Sequence, residues 1–160
     1  VKYRQEYRAL HEAGKFKGFS VKSSLKEIER LVKETGAKTL LDYGCGKGLQ
    51  YTEKQYHKRW GVLPALYDPG VKGLDTKPLG TFDGVICTDV LEHVPEEELD
   101  GVLSEIFGYA NKFVVLSIST LPAKKFFKDG TNVHVTVKPE SWWREKLPTK
   151  DILVSLTFRD

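Results

Sequence analysis

Apolar residues fall into two patterns along this chain, short continuous runs and spaced stripes, and the two alternate. Leu25, Ile28, Leu31 and Val32 recur at helical spacing. Just ahead of them, Ser24-Leu25-Lys26-Glu27 has the form of a capping box. Gly36 follows where a helix can close in a left-handed residue. Residues 39–43 form an apolar run ending in glycines, which suits a buried strand. A helix is expected from near Gly48 to before Gly61, and a second strand over residues 62–67. Residues 68–82 are rich in Gly, Pro and Lys and carry no period. Residues 82–87 read as the next strand. Pro95-Glu96-Glu97-Glu98 opens a helix, with acids favoured in its first turn, and Leu99, Val102, Leu103, Ile106 and Phe107 supply its inner face. Residues 113–118 form a near-continuous apolar strand. Asp129-Gly130 marks a turn before a strand expected at residues 133–137, residues 139–147 read as a short helix, and residues 152–158 as a last strand. Residues 1–20 are polar with scattered aromatics (Tyr3, Tyr7, Phe16, Phe19) and read as an arm or short helix.

Strands alternating with helices imply an α/β domain with a parallel sheet covered on both faces. Such sheets bind ligands at the carboxyl ends of their strands. The chain has 160 residues, which favours one domain, and its 40% apolar content is enough for a core. No apolar run approaches the ~18–20 residues that span a bilayer, and the N-terminus lacks a signal-peptide stretch. The two cysteines, Cys45 and Cys87, fall at buried strand ends rather than in a disulfide framework, so a cytoplasmic setting is expected. A net charge of +3 neither demands nor excludes an anionic partner. Basic residues gather at Lys2, Arg4, Arg8, Lys15 and Lys17 and again at Lys124, Lys125 and Lys128. They read as a solvated surface, with a nucleic-acid or phosphate-facing patch as the alternative.

The sharpest feature is Leu40-Leu41-Asp42-Tyr43-Gly44-Cys45-Gly46-Lys47-Gly48, between an expected strand and an expected helix. Gly44 and Gly46 allow close backbone approach to a ligand and positive φ. The spacing differs from the dinucleotide fingerprint, which wants its third glycine three residues after the second. Asp42, two residues before the first glycine, would repel a pyrophosphate and suit a cationic ligand such as an ammonium group.

This segment resembles motif I of the class I, Rossmann-like S-adenosylmethionine-dependent methyltransferases, and the resemblance covers roughly residues 36–120. It implies a mostly parallel sheet whose last strand runs antiparallel, and S-adenosyl-L-methionine as the cofactor. Asp42, Gly44, Cys45 and Gly46 are then cofactor-binding. Asp68, ending the second strand, would accept hydrogen bonds from both ribose hydroxyls, since a carboxylate can take a vicinal diol; ordinary turn chemistry before Pro69 is the alternative. The family places a helix and a third strand before its fourth strand, but residues 69–81 are too few for both. The sheet is therefore expected to be shortened there, leaving Asp75 as the one local acid for adenine. Phe82 to Val94 resembles the family's fourth strand and following turn, with Asp83 structural and Cys87, Thr88 and Asp89 at the ligand edge. Large recognition insertions are absent, so the acceptor is expected to be small or presented by a partner. Residues 1–20 would form an arm or lid.

Methyl transfer needs a base only where the acceptor must lose a proton. His134, Glu92 and His93 are the catalytic candidates, His134 as base or hydrogen-bond partner of the acceptor. An alternative is a metal site: Asp89-x-x-Glu92-His93 with the later His134 resembles the Glu-x-x-Glu-His…His pattern of small-RNA 2′-O-methyltransferases, with aspartate in place of the first glutamate. Trp142-Trp143 either stacks one ring on a flat substrate or divides between core and surface. Two further readings stay open, a non-catalytic S-adenosylmethionine-binding module and a nucleotide-dependent oxidoreductase, the latter opposed by the glycine spacing. The acceptor and the oligomeric state are not readable from the chain.

Overall fold

A computed structural model describes residues 3–16 and 18–160, so Lys2 and Lys17 of the basic cluster lie outside the described residues. The strands are β1 (Leu40–Tyr43), β2 (Ala65–Tyr67), β3 (Phe82–Thr88), β4 (Ala110–Ser119) and β5 (Leu153–Arg159). They form one sheet in the order β2-β1-β3-β4-β5, and every neighbouring pair is parallel. The helices are α1 (Arg4–Glu12), α2 (Leu25–Thr35), α3 (Leu49–Thr52), α4 (Glu96–Tyr109) and α5 (Glu140–Lys146). The arrangement is Rossmann-like, a parallel sheet flanked by helices.

Successive side chains of a strand point to opposite faces, and β4 shows what that achieves. Phe113 and Val115 enter one core with Ile28, Leu31 and Val32 of α2, together with Leu40, Tyr51, Trp60 and Ile86. Val114, Leu116 and Ile118 enter the other with Leu99, Leu103, Ile106 and Phe107 of α4, joined by Leu41, Val85 and Trp143. Each such buried side chain contributes about 1.5–3 kcal/mol relative to exposure, so the two faces together define the sandwich. Gly36 closes α2 with φ 64, the left-handed cap expected there.

Four local expectations are corrected. The last strand is not antiparallel: residues 120–152, α5 included, carry the chain back to the starting end of β4, so β5 enters parallel, pairing Phe113 with Leu153 through Ser119 with Arg159. Residues 133–137 form no strand. Their backbone is instead used by loop contacts, Val133 N donating to Lys125 O and Thr136 N to Glu92 O (both 3.1 Å). The capping box is not made. A 3-10 turn, Ser20–Ser24, runs straight into α2, Ser24 Oγ is buried without a hydrogen-bond partner among the described residues, and Glu27 pairs with Arg30. The helix expected from near Gly48 to Gly61 is broken into α3 and a 3-10 turn, Tyr56–Arg59, by Gln55 at φ 51. Between β2 and β3 there is neither helix nor strand, in line with the shortened sheet.

Candidate active site

The carboxyl ends of β1, β2 and β3 open onto a cavity of about 1020 Å³. That is at the upper end of the few hundred to ~1,000 Å³ typical of small-molecule sites. Its floor is the glycine turn. Gly44, Gly46 and Gly48 have φ of 83, 60 and 73°, where a side chain would strain the backbone. A Cβ on Gly44 would also stand 2.3 Å from Val90 Cγ2, so the turn packs directly on the segment after β3. Gly44 N and Cys45 N both donate to Tyr67 O, at 2.7 and 3.2 Å, which ties the turn to the tip of β2. Asp68, next in the chain, completes the tie: Oδ2 accepts from Gly46 N and Oδ1 from Gly70 N, each at 2.8 Å. Asp68, Gly44, Cys45 and Gly46 all line the cavity. Cys45 is buried, which pushes its thiol pKa up, so it serves as wall rather than as a nucleophile.

Asp42 is placed differently from its expected role. It is 1% exposed and does not line the cavity; its Oδ2 accepts from Tyr51 Oη at 2.5 Å and Gln50 Nε2 at 3.3 Å. Burial pushes its pKa up to about 7, against the lowering effect of the Tyr51 hydrogen bond. Because the folded value lies above the unfolded one, the unfolded chain releases this proton first. Stability therefore falls as pH rises from about 4 to about 7 and stays low above that window. Asp42→Asn is expected to flatten this slope, raising the melting temperature at about pH 8 but not at about pH 4. A variant that melts at or below the wild type near pH 8 would contradict a costly ionisation at this position.

The other end of the cavity is built after β3. Thr88 Oγ1 and Ser20 Oγ are 2.7 Å apart, fastening the start of the 3-10 turn to the strand end. Asp89 takes φ 56, a left-handed conformation that aspartate tolerates better than most residues. Its Oδ1 accepts from Ser117 Oγ at 3.2 Å and its Oδ2 pairs with Arg159. Glu92 is fully buried: Oε1 accepts from Ser119 N at 3.2 Å, while Oε2 has no hydrogen-bond partner among the described residues. Burial, then the Asp89 charge, pushes the Glu92 pKa up to about 8. His93 Nδ1 lies 2.9 Å from Val133 O and His134 Nδ1 2.7 Å from Leu121 O. A carbonyl oxygen only accepts, so Nδ1 carries the proton in each ring, and Nε2 of the neutral imidazole is left with its lone pair. Burial holds the His93 pKa down to about 3, so that ring is neutral. One ligand atom from each of Glu92, His93 and His134 lies within 4.8 Å of the other two. The three catalytic candidates thus meet at one place, although His134 sits on a loop rather than a strand.

Helix α1 covers the cavity. Tyr7, His11, Phe16 and Phe19 line it. Tyr7 Oη is 2.8 Å from His93 O and 3.0 Å from Val133 O, and His11 Nε2 is 4.0 Å from Asp68 Oδ2. Asp75, expected beside adenine, does not line the cavity. Its Oδ2 accepts from Arg8 Nη2 at 2.8 Å and Arg4 Nη2 at 3.3 Å, anchoring α1. Two cations of the basic cluster are thereby paired internally, whereas Lys124 and Lys125 line the cavity. Trp143 is fully buried and Trp142 lies under Lys138 and Lys146; neither lines the cavity, which answers the stacking alternative. Sequence reasoning missed His11 and Arg159, which reach their partners from the two ends of the chain, where no local motif marks them.

A parallel sheet that hands its first strand through bare glycines to a deep cavity, with an acid at the tip of the neighbouring strand, defines a Rossmann-like cofactor-binding class. Within that class, residues 15–150 match the family described as a methyltransferase domain, and the chain belongs to it, among the class I S-adenosylmethionine-dependent methyltransferases. It is similar to the chloroplastic magnesium protoporphyrin IX methyltransferase of Arabidopsis thaliana, with 29% identity over 111 residues, covering 57% of this chain and 35% of that protein. The chain therefore spans about a third of the length of the curated relative it matches. No solved structure matches it. Among the described residues no helix is long and apolar enough to cross a membrane.

Proposed function

We propose that the chain transfers a methyl group from S-adenosylmethionine to an acceptor bound in the same cavity. The observation that carries this reading is Asp68, a carboxylate facing the cavity and fixed at the tip of β2 by the Gly46 and Gly70 amides. Each carboxylate oxygen keeps one lone pair beyond these bonds, one for each hydroxyl of a vicinal diol. The glycine turn offers the close backbone approach that the methionine half needs, with Thr88 and Asp89 at that end. Asp42 contributes from beneath by fixing the turn through Tyr51 and Gln50, not by contact.

When bound, the cofactor supplies an electrophilic methyl on a sulfonium, whose leaving thioether needs no proton. The work left to this chain is to hold the acceptor and, where necessary, to take its proton. Glu92, His93 and His134 stand at the acceptor end, each imidazole with its Nδ1 held by a backbone carbonyl and its Nε2 outside that bond. Helix α1 acts as a lid, with Tyr7 and His11 excluding water and the Asp75 pairs holding it closed.

Calorimetry with S-adenosylmethionine and with NAD tests the cofactor: saturable binding of the first and none of the second is expected. Labelled methyl transfer into cell extract, separated into RNA, DNA, protein and metabolite fractions, then finds the acceptor class. Magnesium protoporphyrin IX, named for the relative, belongs in the metabolite arm. Binding of NAD without S-adenosylmethionine would end this reading.

A further inference from the structure

We infer that Glu92, His93 and His134 form a binding site for one divalent transition-metal ion at the acceptor end of the cavity. Three independent features converge on it. The ligand atoms of the three side chains are mutually within 4.8 Å. Glu92 Oε2 is buried and lacks any hydrogen-bond partner among the described residues, although its residue is fully removed from solvent. Such an orphaned oxygen is costly unless something occupies the space before it. Both imidazoles also have their Nδ1–H groups fastened to backbone carbonyls, those of Val133 and Leu121. That second-layer contact is the arrangement that fixes the tautomer and ring direction of metal-bound histidines, leaving Nε2 as donor.

The supporting layer is complete in other respects. Tyr7 Oη reaches the carbonyls of both His93 and Val133, so the His93 ring and the carbonyl that orients it are braced by one side chain. The His93 and His134 rings meet edge to face with centroids 4.8 Å apart, which directs them at different angles into the same space. Asp89 does not belong to the set, because its carboxylate is engaged by Ser117 and Arg159. A three-donor face with an open cavity side leaves coordination positions for an oxygen of the acceptor. Two imidazoles and one carboxylate suit Mn²⁺, Fe²⁺, Co²⁺ or Zn²⁺ better than Mg²⁺ or Ca²⁺, which prefer oxygen. Donor atoms around an ion at about 2.1 Å stand closer than 4.8 Å, so the three side chains draw in on binding.

The inference rests on the reading of this cavity end as the acceptor site, but its test does not use S-adenosylmethionine. The full chain, freed of metal, is titrated with Co²⁺ while visible absorption is followed. One equivalent is expected, with bands in the visible that Zn²⁺ abolishes and Mg²⁺ leaves in place. His134→Ala, on the exposed loop, and the near-isosteric Glu92→Gln are each expected to weaken Co²⁺ by ~100-fold or more, at least the effect of losing an outer-layer partner. His57→Ala, outside the cavity lining, serves as the control and is expected to bind as the wild type does. Circular dichroism on each variant establishes folding, and His134→Ala alone decides if Glu92→Gln does not fold. Absence of saturable binding, or equal binding by His134→Ala and wild type, overturns the site. A separate S-adenosylmethionine titration of the same metal-free sample distinguishes failure of the metal site from failure of the cofactor assignment.

Discussion

Replacing Gly84 with alanine is expected to lower the melting temperature by about 6–12 °C. Gly84 lies in β3 between the two cores, and a Cβ there would stand 2.2 Å from Phe113 Cζ and 2.5 and 2.7 Å from the two Cε atoms. Phe113 is fully buried in the core that also holds Ile28, Leu31 and Trp60, so its ring can move only by displacing packed neighbours. Overpacking a well-filled interior costs about 1–3 kcal/mol, occasionally more. An approach this close to a fully buried ring belongs at the top of that range. For a domain of this size about 3 kcal/mol corresponds to ~6–12 °C. Thermal melts of Gly84→Ala alone and combined with Phe113→Leu check the cause. The smaller leucine should recover part of the loss, and a double variant that melts lower than the sum of the two singles would show that the ring is not the obstacle.

Asp68→Ala is expected to weaken S-adenosylmethionine binding by about 100-fold or more. Two charge-assisted hydrogen bonds to a diol contribute roughly 1.5–3 kcal/mol each, so losing both is worth several kcal/mol. The same substitution removes the acceptor for Gly46 N and Gly70 N, which loosens the turn and adds to the loss. Asp68→Asn separates the two effects. Its one remaining oxygen can keep Gly46 N in place, while its amide group can no longer accept on the other side. Calorimetry should place Asp68→Asn between wild type and alanine, with both variants retaining a cooperative melt. Binding by Asp68→Ala within a few fold of wild type would remove the ribose from this carboxylate.

Much of the scaffold was legible in the sequence because its signals are local. The apolar run ending at Tyr43, the glycines after it and the period of α4 each lie within one short window. The shortened stretch after Asp68 was legible by length alone. The misreadings share a cause, which is competition for groups whose local pattern suggests a different partner. Ser24 and Glu27 have the capping pattern, yet Arg30 holds Glu27 and a 3-10 turn already occupies the approach to the helix. Residues 133–137 carry strand-like residues, but their amides are taken by Lys125 and Glu92 from outside the sheet. Within the site, residue types were readable and directions were not. Asp42 faces Tyr51 instead of the cavity, and Asp75 faces two arginines of α1. The partners of Asp42 sit in the next helix, yet no pattern marks which way that acid turns, and those of Asp75 arrive from the other end of the chain.

The all-parallel sheet also bears on how the molecule comes to be folded. No two adjacent strands are joined by a hairpin, and Leu41 must find Val85, and Val114 must find Val154, before any ladder can grow. Loop closure over such separations is unfavourable until the long-range contacts reward it, which sets the chain among the slower folders of its size. During that interval the strand edges and the apolar run of β4 stand exposed to other chains. Refolding yield should therefore fall with protein concentration well before native stability is exhausted.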